Sequence, residues 1–167
     1  MQSKYISASY LRNFIFGVED SLVSTVGLLS GIAIAEVPRQ TIVLTGIVLI
    51  FVEAFSMAVG SFLSEHSAED FLRKSEGSTN SPRIGGVIMF FSYFIAGFIP
   101  LSPYFFFETK FAFGMSIAFS LISLFLLGFV SARFSHSNIW RSGFRMLLLG
   151  GVAIFVGTIV GQLVNNF

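Results

Sequence analysis

The sequence predicts an all-α integral membrane protein, built as one domain over residues 1–167 with five transmembrane helices. Its residues are 54% hydrophobic and only 11% charged, whereas about a quarter of the residues in a soluble domain are charged. Five apolar stretches each approach the roughly 20 residues that a helix needs to cross the hydrocarbon layer. These stretches lack the alternation of barrel strands. A soluble globular enzyme, a nucleic-acid binder and a disordered chain are therefore excluded.

The charged and turn-forming clusters divide the chain into five spans. In order, the spans are predicted at residues 13–35, 41–63, 84–106, 111–132 and 143–163. The connection at 65–83 is the longest, and its first part is expected to prolong the second helix before the flexible linker GSTNSPR. Pro100 and Pro103 are expected to bend the third span or end it early, because proline lacks a backbone N–H.

The distribution of basic residues orients the spans. Eight of the ten Lys and Arg residues fall on the side of the N-terminus, namely Lys4, Arg12, Arg73, Lys74, Arg83, Arg133, Arg141 and Arg145. Only Arg39 and Lys110 fall on the opposite side. Because short cytoplasmic loops carry the excess of positive charge, the N-terminus is predicted in the cytoplasm and the C-terminus outside. The compact loops and the lack of a targeting segment favour a prokaryotic plasma (inner) membrane.

Three acidic residues lie inside spans that are otherwise nearly free of charge. They are Glu19 and Asp20 in the first span and Glu53 in the second. A charged residue at the centre of a membrane helix costs about 2.5–3.5 kcal/mol on insertion scales, so such acids usually mark an ion pathway or a partner. The alternative is a structural carboxyl held by hydrogen bonds, and for Glu19 both interpretations stay open.

Helical spacing places these acids on stripes of small or sulfur-containing residues. In span one the stripe is Gly17, Asp20, Ser24, Gly27 and Gly31, and in span two it is Glu53, Met57, Gly60 and Ser64. Gly27 and Gly31 have the spacing that lets two membrane helices pack closely. Counting residues from the span ends puts Asp20 and Met57 at the same depth, with Glu53 one turn further toward the outer side. The three residues are predicted to form a ladder of ligands along a conduction path.

The ligand types indicate which ion such a ladder would hold. Carboxylates suit Mg²⁺, Ca²⁺ and Mn²⁺, whereas a thioether shifts preference toward softer ions. The combination of Asp20, Glu53 and Met57 therefore favours Fe(II) or Mn(II), unless Met57 only fills the core. Glu19 is a possible secondary ligand. Glu65 and Glu69 share a helix face and are possible ligands at the mouth, although a solvated helix end explains them more simply.

Two long motifs resemble the vacuolar iron transporter family. Residues 17–31, GVEDSLVSTVGLLSG, are similar to that family's Asp-Gly-Leu-Val-Ser signature and its glycine-rich continuation, and residues 53–64, EAFSMAVGSFLS, resemble its Ser-Met-Ala-x-Gly-x-Tyr-Leu-Ser motif. The resemblance implies a five-helix homodimer that exports cytosolic Fe(II), often also Mn(II), in exchange for protons, with the first two helices lining the path. The family's metal-site Asp and Met carry over onto Asp20 and Met57, whereas Glu53 matches only by its position on the same face.

The chain departs from the family's pattern at three places. Ser21 stands where the signature has Gly, and Ser61 stands where an acid often follows the second-span glycine. The long Glu-rich insert of some members is missing between spans two and three. What remains there is Glu65, Glu69, Asp70 and Glu76, with His66 beside them. Capture of metal by a cytoplasmic domain is therefore not expected.

The sequence thus predicts a homodimeric transporter that exports Fe(II) and/or Mn(II) by proton antiport, with lipid as its surroundings, no resident cofactor and no nucleic-acid partner. The alternative is a non-transporting membrane subunit whose buried acids pair with basic residues of a partner protein. An enzyme is not expected, because the spans contain no His and no conventional pair of nucleophile and base. His136 lies in a loop without other ligand-type residues and is expected to be solvated.

Overall fold

The computed structural model describes residues 2–73, 82–135 and 138–166, and apart from short turns these residues are helical. The helices are α1 (Gln2–Ile34), α2 (Arg39–Arg73), α3 (Pro82–Leu101), α4 (Pro103–Phe106), α5 (Thr109–Ser135) and α6 (Ile139–Asn165). All except the single-turn α4 are long and apolar enough to cross a membrane. The prediction of an all-α membrane protein with five spans is confirmed.

The helix ends differ from the predicted spans in ways that matter for the site. Helix α1 begins at Gln2, well before the predicted start, and α2 continues to Arg73 as expected. Both helices therefore extend beyond the apolar stretches at the same end of the bundle. The predicted linker lies largely in residues 74–81, and the solvated His136 lies at 136, so these two predictions fall outside the described residues.

The third predicted span is divided at its prolines. Helix α3 ends at Leu101 and α4 starts at Pro103, as the sequence leads one to expect. Pro103 cannot donate to the carbonyl of Ile99, and the hydroxyl of Ser102 donates to that carbonyl instead at 2.9 Å. Ser116 of α5 donates to the carbonyl of Pro100 at 2.7 Å. The hydroxyls of Ser102 and Ser116 thus donate hydrogen bonds to backbone carbonyls at the break between α3 and α4.

Helix α1 lies at the centre of the bundle and packs against α2, α3, α5 and α6. Its contact with α6 is formed by backbone, because Gly27 and Gly31 face Gly157 and Gly161, which have the same four-residue spacing. The close approach predicted for Gly27 and Gly31 is confirmed, and the partner is α6 of the same chain. On the other flank, α2 and α3 enclose an apolar core with α1, formed by Leu29, Ile42, Ile50, Leu101 and Tyr104.

The outer surface of the bundle carries large apolar side chains. Phe55, Phe106 and Leu148 are among the most exposed, at 66%, 79% and 69%. Several hydroxyl side chains face inward, including the fully buried Ser21, Thr25 and Ser120. This arrangement, with large apolar side chains outside and small polar ones inside, fits a bundle surrounded by lipid.

Candidate functional site

The carboxylates of Asp20 on α1 and Glu53 on α2 form a pair inside the bundle. Both side chains are half-buried, and they are close enough to repel each other electrostatically. Repulsion between two carboxylates grows as water is removed, because the effective dielectric constant falls. A cation placed between them removes that repulsion, so the pair is suited to hold one.

The register of the helices explains why these two acids meet. Gly97 of α3 lacks a side chain, and a Cβ there would lie 2.9 Å from Ser21 Oγ of α1 and 2.7 Å from Ile50 of α2. Ser21 follows Asp20 directly, and Ile50 is one turn from Glu53. Asp20 and Glu53 therefore both lie within about one turn of the level of Gly97.

Met57 lies one turn from Glu53 on the same helix. The carbonyl of Ala58, its neighbour on α2, lies against Gly86, about three turns of α3 before Gly97. Met57 is therefore nearer than Glu53 to the end at which α1 begins. The ladder of Asp20, Met57 and Glu53 stays a prediction. Met57 is half-buried and remains within one turn of the pair.

Tyr93 of α3 completes the surroundings of the pair, and the sequence did not point to it. Its side chain is fully buried, and its hydroxyl shares a 2.7 Å hydrogen bond with Ser24 Oγ, one turn beyond Asp20. Both Asp20 and Glu53 act on this hydroxyl electrostatically. Ser21 Oγ donates to the backbone carbonyl of Tyr93 at 2.6 Å. The sequence offered one signal for it, a tyrosine in the middle of a span, because a buried tyrosine hydroxyl needs a hydrogen-bond partner.

Glu19 is directed to a different part of the bundle. Besides its neighbour Asp20, the charge that acts on it is the guanidinium of Arg145 on α6. This interaction favours the structural interpretation of Glu19. The charge of Asp20 instead interacts with that of Glu53 on α2. The two adjacent acids of α1 therefore interact with different neighbouring helices.

The Glu19→Gln variant is expected to transport within about fivefold of the wild-type rate, because an electrostatic pair with an exposed arginine contributes at most about 1 kcal/mol. Ion uptake into liposomes by the two proteins measures this. A loss as large as that expected for Asp20→Asn would place Glu19 in the ion pathway.

The solvated-end interpretation of Glu65 is wrong. Its side chain is only 8% exposed, and Glu65 Oε1 accepts hydrogen bonds from Ser9 Oγ at 2.9 Å and Asn13 Nδ2 at 2.7 Å. Glu69, one turn further on, is half-buried. Among residues 2–73, 82–135 and 138–166, no three His, Asp or Glu side chains are grouped as metal ligands.

An open cavity of about 670 Å³ lies between α1 and α6, from Ser24 toward the end of α1. Its lining is almost entirely apolar and includes Gly27, Gly31 and Gly157. The cavity opens along the face of α1 that carries Ser24, one turn after Asp20.

Comparison with known proteins matches the chain over nearly its full length. The model of the VIT family matches residues 11–80 and 72–162. Vacuolar iron transporter homolog 4 of Arabidopsis thaliana is 28% identical over 160 residues, which cover 89% of this chain and 81% of the relative. Vacuolar iron transporter 1 of Tulipa gesneriana is 24% identical over 212 residues, covering 91% and 86%. The vacuolar iron transporter of Plasmodium falciparum is 22% identical, covering 93% and 82%. The resemblance read from the two motifs is confirmed, and the matched residues include both spans that carry the acids.

Proposed function

The chain belongs to the VIT family, and from that membership and its paired membrane carboxylates we propose that it carries Fe(II) or Mn(II) across a membrane. The observation that supports this proposal is the proximity of Asp20 on α1 to Glu53 on α2 inside the bundle. Relatives that cover most of the chain are named iron transporters. A pair of acids between membrane helices is costly to retain without a cation to hold.

The choice of ion follows from the ligands near the pair. Two carboxylates alone would suit Mg²⁺ as well as Mn(II), whereas the thioether of Met57 one turn away adds a preference for softer ions. Fe(II) accepts both ligand types. We therefore assign the carboxylates to charge balance and Met57 to selection of Fe(II).

The Met57→Leu variant tests that assignment. Leucine keeps a similar volume but removes the sulfur, so preference for Fe(II) over Mg²⁺ is expected to fall about tenfold, or about 1.4 kcal/mol. Transport of Mn(II) should persist. The matched control is Met89→Leu, because Met89 is 3% exposed and packs at Gly17 of α1. Competition between ions in uptake assays measures the change, and an unaltered preference in Met57→Leu would assign Met57 to packing alone.

Exchange with protons follows from the chemistry of the same pair. A carboxylate binds metal only in its deprotonated form, so entry of the ion releases protons and their return expels it. In the proposed cycle Asp20 exchanges its proton for the metal, and Glu53 receives the ion or the returning proton. With the N-terminus in the cytoplasm, the cycle moves metal out of the cytoplasm while protons enter. The short connections favour the plasma membrane of a prokaryote.

A homodimer is proposed because one copy supplies too few ligands. Two carboxylates and one thioether fall short of the six ligands typical of octahedral divalent ions. The open apolar cavity of about 670 Å³ between α1 and α6 offers a surface for a second copy. Pairing two copies across this surface would bring their carboxylate pairs together along one path.

Uptake of Fe(II), Mn(II), Zn(II) and Mg(II) into liposomes that contain the purified protein tests the function. We expect Fe(II) and Mn(II) to enter and Mg(II) to be excluded. Absence of uptake of every ion by folded, dimeric protein would instead favour the role of a non-transporting membrane subunit.

A further inference from the structure

The carboxylate of Glu65 lies where the beginnings of α1 and α3 meet the end of α2. At 8% exposure it is among the buried charged or polar side chains. Its Oε2 atom lies against Gly85 of α3. A Cβ at position 85 would collide with Oε2 and would lie 2.7 Å from Asn13 Nδ2. Three helices therefore converge on one carboxylate at this end of the bundle.

The partners of Glu65 tie α2 to α1. Ser9 and Asn13 donate to Oε1, and Arg12 Nη2 lies 3.8 Å from the same oxygen. Arg12 and Asn13 lie three and four residues after Ser9 and so share its face of α1. Asn13 is itself only 2% exposed. Two hydrogen bonds and one ion pair thus hold the two helices together at this end.

The second oxygen of Glu65 is left without a partner. Oε2 is buried and accepts no hydrogen bond, which is unfavourable for a charged group away from water. If α1 and α2 separate here, Oε2 gains water while Oε1 loses its bonds to Ser9 and Asn13. Because the gain and the loss oppose each other, separation here costs less than the loss of the two hydrogen bonds alone.

This junction lies on the way to the carboxylate pair. Asn13 is seven residues before Asp20 on α1, or roughly 10 Å. Ser61, one turn before Glu65 on α2, has a buried hydroxyl without a partner and stands between Glu65 and Glu53. We propose that Glu65 is a gate residue, whose bonds to Ser9 and Asn13 close the seam between α1 and α2 to ions from this end. The inference rests on the proposed transport and adds the control of access to it.

Accessibility of a single cysteine tests the gate without any transport. The chain contains no Cys, so Ser61→Cys introduces one thiol at a site where no hydrogen bond is lost. Its rate of modification by 2-aminoethyl methanethiosulfonate is measured in nanodiscs, with and without Glu65→Ala. We expect at least about tenfold faster labelling in Glu65→Ala, as follows when the open fraction rises by that factor.

Asp70→Ala is the matched control. Asp70 lies on the same helix beyond Glu65, its side chain is 61% exposed, and it pairs with His66 at 3.7 Å. It should leave the labelling rate unchanged. Unchanged labelling in folded Glu65→Ala, or equal acceleration by Asp70→Ala, would overturn the proposal.

Two further variants keep the test decisive if Glu65→Ala does not fold. Asn13→Ala removes the 2.7 Å bond but keeps the acid, and it should accelerate labelling in the same direction. Glu65→Gln keeps an oxygen acceptor for Ser9 and Asn13 and should label more slowly than Asn13→Ala. The reverse order would overturn the gate.

The gate and the proposed transport can fail separately. If Glu65→Ala accelerates labelling but the wild-type protein moves no ion, transport is rejected and the closure of the seam is retained. If the wild-type protein transports ions but Glu65→Ala leaves labelling unchanged, only the gate is rejected.

Discussion

Replacing Asp20 with asparagine is expected to abolish metal transport while leaving the protein folded. Asparagine has nearly the same size but no charge, so it neither balances the charge of a divalent ion nor exchanges a proton for it. Loss of a group that only supports a metal ligand costs 10–100-fold. Loss of the ligand itself should therefore reduce uptake at least about a hundredfold.

Uptake of Fe(II) by the Asp20→Asn protein in liposomes, compared with Glu19→Gln, measures this effect. Glu19 is the adjacent acid, but Arg145 of α6 acts on it rather than Glu53 of α2. The two variants remove one carboxylate each from successive positions of α1, so insertion and lipid effects are matched. Normal uptake by Asp20→Asn would remove Asp20 from the mechanism.

Replacing Gly157 with leucine is expected to have the largest effect on stability. A Cβ at this position would overlap the backbone carbonyl of Gly27 on α1, and backbone of two packed helices can make room only if they separate. Overpacking a core typically costs about 1–3 kcal/mol, and here more than about 3 kcal/mol is expected because α1 is the central helix. Thermal unfolding in detergent measures the loss.

Gly151→Leu is the control for this second experiment. Gly151 is on the same helix and a Cβ there meets nothing within 4 Å. It should unfold near the wild-type temperature. Equal unfolding temperatures for Gly157→Leu and the wild type would contradict the close packing of α1 and α6.

The spans were predictable because lipid imposes a length and an apolar composition that are visible in the sequence. The register between helices was not. Ser21, next to Asp20, and Ile50, one turn before Glu53, both fit against Gly97 of α3, and no feature within one span reveals which glycine of another span it meets. Counting from the ends of apolar stretches therefore does not reveal which side chains of two helices lie together.

Glu65 shows a second limit of the sequence. An acid beyond an apolar stretch normally lies in water, and its polar neighbours His66 and Asp70 are indeed exposed. Burial of Glu65 depends on α1 being helical from Gln2, which brings Ser9 and Asn13 alongside α2. The sequence before the first span carries too few apolar residues to predict that extension.

Proton movement driven by metal tests the central claim most directly. Liposomes that contain the purified protein and a trapped pH indicator would receive Fe(II) on the outside. The account predicts an interior pH change with Fe(II) or Mn(II), none with Mg(II), and none with any ion in Asp20→Asn. A pH change of equal size in Asp20→Asn, or uptake of Fe(II) without movement of protons, would contradict exchange at the pair formed by Asp20 and Glu53.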